Sequence, residues 1–142
     1  MPLIGDKERQ QVQDILAKNL QGPVRLVMFT QEIECEFCAQ TRELVEEISG
    51  LSDLVESQVY DLVADKRMAE QYSVDKIPAI AVVGDQDYGV RFYGIPSGYE
   101  FTTLIEGIVN VSNRQSGLSA ETREALEGVH EPVHLQVFVT PT

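Results

Sequence analysis

An α/β fold is what this chain predicts, and three observations carry the prediction. Residues 24–30 (Val-Arg-Leu-Val-Met-Phe-Thr) form a short, almost continuous apolar run of strand formers, as expected of a strand covered on both faces. The stretches before and after it place their apolar residues at helical spacing instead. With 142 residues, 43 % of them apolar and none tryptophan, the chain can build one domain or slightly more around a sizeable core without covalent staples.

The elements follow in order. Val12, Ile15, Leu16 and Leu20 make one stripe of a helix that starts near Asp6, and Gly22-Pro23 stops it before the central strand. After the loop 31–34, Phe37, Thr41, Leu44, Ile48 and Leu51 define a second helical stripe, widened by Cys38 and Val45, so Cys35 is expected at the tip of that helix. Residues 58–63 read as the next strand, 65–72 as a short helix opened by an acidic cap at Asp65, and 79–83 as a third strand. The chain turns over 84–89 and returns over 90–95 as a strand, in a hairpin. Phe101, Leu104, Ile105, Ile108 and Val109 then pattern a further helix.

Beyond Asn113 the pattern starts again. Ser119 is placed to cap a helix through about Glu127, and the following Pro132-Val133-His134-Leu135-Gln136-Val137-Phe138 echoes Pro23-Val24-Arg25-Leu26-Val27-Met28-Phe29 with four identities in seven. The expected organisation is one unit over residues 1–113, with a linker, helix and strand over 114–142 opening a second; coincidence between two buried strands is the alternative. A strand without its own sheet has unpaired edges, which predicts pairing with the first unit's sheet or with a second molecule as a homodimer. If the repeat is real, the counterpart of Cys35 falls just past Thr142.

Charge narrows the function classes. A formal net charge of -12, with only 11 Lys and Arg scattered along the chain, argues against nucleic acid and against an acidic membrane surface. The first residues turn charged before a signal-peptide apolar region forms, and no stretch approaches the roughly 18 apolar residues of a membrane span, so a cytoplasmic location is expected. In a reducing compartment a lone close pair of cysteines is better suited to catalysis or metal binding than to a permanent staple, which here would close only a tiny loop.

That pair is Cys35-Glu36-Phe37-Cys38, which holds the only two cysteines. At a helix start, unpaired backbone N–H groups and the dipole stabilise the Cys35 thiolate, the attacking species. Cys38, one turn on and on the inward stripe, is expected to be less exposed and to resolve a mixed disulfide by attacking Cys35. A zinc site or a cluster bridged between two chains is the competing reading, because His130 and His134 offer imidazoles. The separation from Cys38 to His130 is far longer than the roughly 12 to 15 residues of a zinc finger, and no metal ligand is assigned.

A strand, a cysteine pair opening a helix, and an Ile77-Pro78 entering a strand some forty residues later resemble the thioredoxin fold, a mixed central sheet flanked by helices. In that family the proline is cis and the backbone before it pairs with substrate, roles that fall here on Pro78 and Ile77. Residues 93–101 (Tyr-Gly-Ile-Pro-Ser-Gly-Tyr-Glu-Phe) resemble its glycine turn before the last helix. Residues 35–44, 89–101, 108–112 and 137–142 are similar to the glutaredoxin-like protein disulfide oxidoreductases, which carry two such units in tandem. The resemblance implies thiol–disulfide exchange on protein or small disulfides, no cofactor beyond the Cys35–Cys38 disulfide, and electrons from a thioredoxin-reductase-type flavoprotein. A non-catalytic docking or electron-relay module of a larger redox system is the rival.

Two departures stand out. Glu36-Phe37 replaces the proline or histidine of many relatives, and Glu32, Glu34 and Glu36 crowd Cys35 with charge that opposes its thiolate. Glu34, Glu36 and Phe37 are therefore expected to modulate the pair, toward a reducing couple. The central strand also lacks the buried carboxylate that serves thioredoxin as proton acceptor, offering Met28 and Phe29; Glu32, Glu34 or water are the substitutes. Arg42, one turn beyond Cys38, is read as solvating its helix, with a modest effect on the thiolate as the alternative. Tyr60, Tyr72, Tyr93 and Tyr99 read as core or rim packing, and the runs Glu43-Glu46-Glu47 and Asp61-Asp65 as solvated faces.

Overall fold

In a computed structural model of the protein, which describes residues 2–140, the apolar run is strand β1 (Val24–Thr30), with α1 (Asp6–Asn19) before it and α2 (Cys38–Ser49) after it. There follow β2 (Val55–Asp61), α3 (Lys66–Gln71), β3 (Ala79–Val83), β4 (Val90–Tyr93), α4 (Tyr99–Asn113) and α5 (Ala120–Glu127). The sheet order is β2-β1-β3-β4. Because α2 carries the chain across the sheet, β2 returns parallel to β1, from Val24 opposite Val55 to Thr30 opposite Asp61. β3 runs antiparallel to β1, with Phe29 opposite Ala79, and β4 antiparallel to β3, with Ala79 opposite Tyr93. The sheet is mixed.

Alternation along β1 divides the core. Val24, Leu26 and Met28 join Ile80 and Val82 against α1, α2 and α4, through Val12, Leu16, Leu44, Val45, Ile48, Leu104 and Ile108. Val27 and Phe29 join Ala79, Ala81 and Val83 on the other face, covered by Ala69, Tyr72 and Val74. Each fully buried aliphatic side chain contributes about 1.5–3 kcal/mol. Phe29 meets the rings of Tyr60 and Tyr72 at centroid distances of 5.8 and 6.1 Å.

Several boundaries differ from expectation for local reasons. β2 starts at Val55, not at residue 58, because it pairs along all of β1 although its sequence is polar; it is an edge strand with only Val55 fully buried. β4 ends at Tyr93 because Gly94 takes φ 82° and donates its N–H to the Pro78 carbonyl at 2.9 Å. Asp65 stands before α3 without capping it: its carboxylate accepts from the Asp61 N–H at 2.8 Å. Asp61 in turn accepts from the Val63 and Ala64 amides at 2.9 and 2.8 Å. Glu47 accepts from the Leu3 and Ile4 amides and from Arg9 at 2.5, 3.2 and 3.0 Å, tying the N-terminal segment to α2. Neither acidic run is merely a solvated face.

α5 forms as expected, with the Ser119 hydroxyl accepting from the Thr122 N–H at 3.2 Å. The strand expected over 132–138 does not form. Every described residue from Arg114 onward is exposed, and Leu135, Val137 and Phe138 stand 85 %, 83 % and 89 % exposed. A strand exists only through ladder partners, and none of the described strands lies beside this segment. Pro141 and Thr142, the end of the 137–142 resemblance, lie outside the described residues.

Arg91 locks the β3–β4 hairpin. Its guanidinium forks onto Asp87 at 2.6 and 2.9 Å and donates to the Tyr72 carbonyl at 3.0 and 3.2 Å, so the turn is held against the end of α3. The Arg91 hydrogen bond holds the Asp87 carboxyl below the ordinary aspartate value of 3.8. A carboxyl with a lowered folded pKa stabilises the fold above its unfolded value and loses that contribution as pH falls through the folded one. Asp87→Asn should therefore cost about 1 kcal/mol at pH 7, and the gap between wild type and variant in urea unfolding midpoint should close as the pH drops below 3.8.

Candidate active site

The register brings four segments to one edge of the sheet. β1 and β2 end there together, at Thr30 and Asp61, while β3 begins there and β4 ends there, at Ala79 and Tyr93. The segments 31–37, 62–65, 73–78 and 94–98 therefore share that edge. The first carries Cys35, which is bonded to Cys38 with their Cα atoms 5.5 Å apart. The third carries Ile77 and Pro78, joined by a cis peptide bond, as the resemblance implies.

Helix α2 starts at Cys38, so Cys35 lies in the loop just ahead of the helix and not in its first turn. The disulfide ties its sulfur to the helix N-terminus. The boundary falls there because the Phe37 carbonyl accepts both the Thr41 N–H, at 2.9 Å, and the Thr41 hydroxyl, at 2.7 Å. Thr41 is fully buried, while Phe37, whose carbonyl it holds, is exposed. Ahead of it the loop is pinned by the Gln31 side-chain amide, which donates to the Ile33 carbonyl at 2.6 Å, and Glu34 takes left-handed backbone, φ 58°. Cys38 is 2 % exposed, whereas Cys35 is partly exposed. That asymmetry is the one expected from helical register.

Ile77 packs its side chain against the smaller core cluster, two residues before the strand ladder that begins at Ala79. Met28 and Phe29 of the central strand are fully buried, and the only buried polar residues among those described are Thr41 and Ser112. No buried carboxylate stands under the cysteines among the described residues, and Glu32, Glu34 and Glu36 are all exposed. Arg42 is engaged along its own helix, its Nε 2.9 Å from Glu46. Among the described residues no group of three or more His, Cys, Asp or Glu is placed to hold a metal, and His130 and His134 are exposed in the C-terminal segment.

The pattern reading missed an apolar rim. Ile33 and Val63 are each 72 % exposed, Tyr99 77 % and Phe37 42 %, all in or beside the converging segments. Of the core or rim places expected for the tyrosines, Tyr99 takes the rim. The signal was present in Ile33, an apolar residue that lies on no helical stripe or strand face.

Fold and site together define the class: the chain is a thioredoxin-fold protein with a redox disulfide of the Cys-x-x-Cys type. It superposes on a thioredoxin from Fasciola hepatica with a TM-score of 0.53 and 25 % identity, over 71 % of this chain and 91 % of that one. Within the class the similarity is greater to a protein disulfide oxidoreductase from Aeropyrum pernix, with a TM-score of 0.78 and 28 % identity over 87 % of this chain and 54 % of the other. Among curated proteins, the F component of the alkyl hydroperoxide reductase of Staphylococcus epidermidis is 27 % identical over 93 residues, 65 % of this chain and 17 % of that protein. The chain thus spans about a sixth of that relative and about half of the Aeropyrum protein. No family model matches it.

The asymmetry of the pair has a direct readout. After reduction, iodoacetamide should label Cys35 in the native protein at least about ten times faster than Cys38, since a buried thiol is sheltered from reagent. Site-resolved mass spectrometry at short times checks this; equal labelling contradicts the placement.

Proposed function

We propose that the chain is a thiol–disulfide oxidoreductase acting through Cys35 and Cys38. The observation that carries the reading is a disulfide with one partly exposed and one buried cysteine at the sheet edge that also holds Ile77-Pro78. In the dithiol form the Cys35 thiolate attacks one sulfur of a substrate disulfide; a bond forms to Cys35, the substrate bond breaks, and the departing thiolate takes a proton from solvent. Cys38, deprotonated, then attacks the Cys35 sulfur. The Cys35–Cys38 bond forms, the mixed disulfide breaks, and the second substrate sulfur leaves as a thiol. Two electrons pass from the pair to the substrate, and the oxidised pair needs a two-electron donor, here read as a dithiol or a thioredoxin-reductase-type flavoprotein.

Ile77 and Pro78 shape the groove for the substrate chain, and Phe37, between the cysteines, modulates the pair. Carboxylates on both sides of Cys35 destabilise its thiolate by like-charge repulsion, which favours the disulfide form and a reducing couple. The likeness to a small part of the Staphylococcus alkyl hydroperoxide reductase component supports a second reading, an electron relay within a larger redox system. Residues 114–142 are then read as the linker, helix and strand-like segment opening a second unit, a segment that would become a strand only by pairing with such a unit or with a second copy. None of the described helices is long and apolar enough to cross a membrane, and a cytoplasmic setting suits a dithiol enzyme.

Reduction of insulin disulfides with a supplied dithiol should fall to the uncatalysed rate in Cys35→Ser, while Cys38→Ser should accumulate mixed disulfides. Turnover undiminished in both defeats the assignment, and a wild-type chain without turnover supports the relay. The reduction potential should lie nearer about −270 mV, as for thioredoxin, than about −120 mV, as for strong oxidants.

A further inference from the structure

The edge that carries the disulfide is unevenly charged. Segment 31–38 holds Glu32, Glu34 and Glu36, all exposed, and no basic residue. The cations near it are spoken for: Arg42 pairs with Glu46 at 2.9 Å, Lys76 with Asp75 at 3.1 Å and Lys66 with Glu70 at 3.8 Å. Arg67 lies in α3 and not in the cysteine loop, and Glu100 adds a carboxylate at the start of α4. A disulfide approaching Cys35 thus meets a negative field with no compensating charge in the loop that receives it.

The same loop alternates those carboxylates with apolar side chains. Ile33 and Phe37 stand 72 % and 42 % exposed between and beside the glutamates, and Val63 and Tyr99 extend the apolar rim on neighbouring segments. A polypeptide that presents lysine or arginine together with apolar residues around its cystine complements both features. A compact anionic disulfide such as glutathione disulfide complements neither: it brings carboxylates toward Glu34 and Glu36 and no apolar side chain for the rim.

We propose that Glu32, Glu34 and Glu36 act as specificity residues, selecting polypeptide disulfides flanked by basic and apolar residues and rejecting anionic ones. This rests on the disulfide-exchange reading and names its substrate class. Selection operates on approach and on the mixed disulfide, where charges sit within several ångströms in water-exposed surroundings, so it weakens as salt screens them.

The test uses the full chain, pre-reduced and freed of reductant, mixed with peptide disulfides of equal length that flank the cystine with Phe and with Lys, Ser or Glu, and separately with glutathione disulfide. Acid-quenched single-turnover rates are divided by the rate at which neutral dithiothreitol reduces the same compound, which removes intrinsic reactivity. At about 20 mM salt the Lys peptide should react about tenfold or more faster than the Glu peptide, with the Ser peptide between and glutathione disulfide slow. That contrast should collapse to within about twofold at about 500 mM salt and in E32Q/E34Q/E36Q. Any change the substitutions make to the thiolate scales all rates together and drops out of the ratio. A smaller contrast, or one that the variant keeps, overturns the proposal while leaving disulfide exchange intact; no reaction with any disulfide overturns both.

Discussion

Strand β1 has no free side: its backbone is paired to β2 on one edge and β3 on the other, and Leu26, Val27, Met28 and Phe29 are fully buried between two layers. A strand so enclosed must be apolar on both faces and must hold its register, because a slip of one residue would exchange the side chains of the two clusters. The position of everything functional follows from that register. Where β1 ends, β2 ends and β3 begins, so the loop with the cysteines and the loop with Ile77-Pro78 arrive at one edge though some forty residues separate them in sequence.

The pair draws its asymmetry from the same source. Cys38 opens a helix whose inner stripe, Cys38, Thr41, Leu44, Val45 and Ile48, packs onto the sheet, and this buries it. Cys35 belongs to the loop and remains accessible. The anchor between Thr41 and the Phe37 carbonyl is what separates the two environments, since it sets where loop stops and helix starts. The exposed carboxylates of the loop stand on both sides of that partly exposed cysteine.

Much of this was legible along the chain. The apolar run of β1, the stripe of α2 and the pattern of α4 each announce their element because burial is dense enough to leave a period. Ser119 announced α5 through its cap. β2 was read late because an edge strand with one wet face carries little apolar signal, and its true start at Val55 is decided by the length of β1 beside it. The β1-like pattern at 132–138 is not a strand of the described sheet for the opposite reason: such a pattern states what a segment can bury, and pairing needs a partner that this sheet does not supply. Glu47, Asp61 and Asp65 read as surface charge, yet Glu47 accepts backbone N–H groups from the distant N-terminal segment, and Asp61 and Asp65 accept them within the turn after β2.

By itself the sequence determined the α/β class, the two cysteines and their order of exposure, and the proline that shares their edge of the sheet. The class and the order of the cysteines are local matters of spacing, periodicity and residue type, whereas the place of the proline came from the resemblance to the thioredoxin fold. Tertiary structure alone decided that Cys35 sits ahead of its helix, that Ile33, Val63 and Tyr99 stand exposed in or beside the segments that meet at the cysteine end of the sheet, and that the C-terminal apolar segment stays exposed. Each depends on contacts between distant segments, whose geometry comes from the ladder around β1 and has no counterpart in the spacing of residues along the chain.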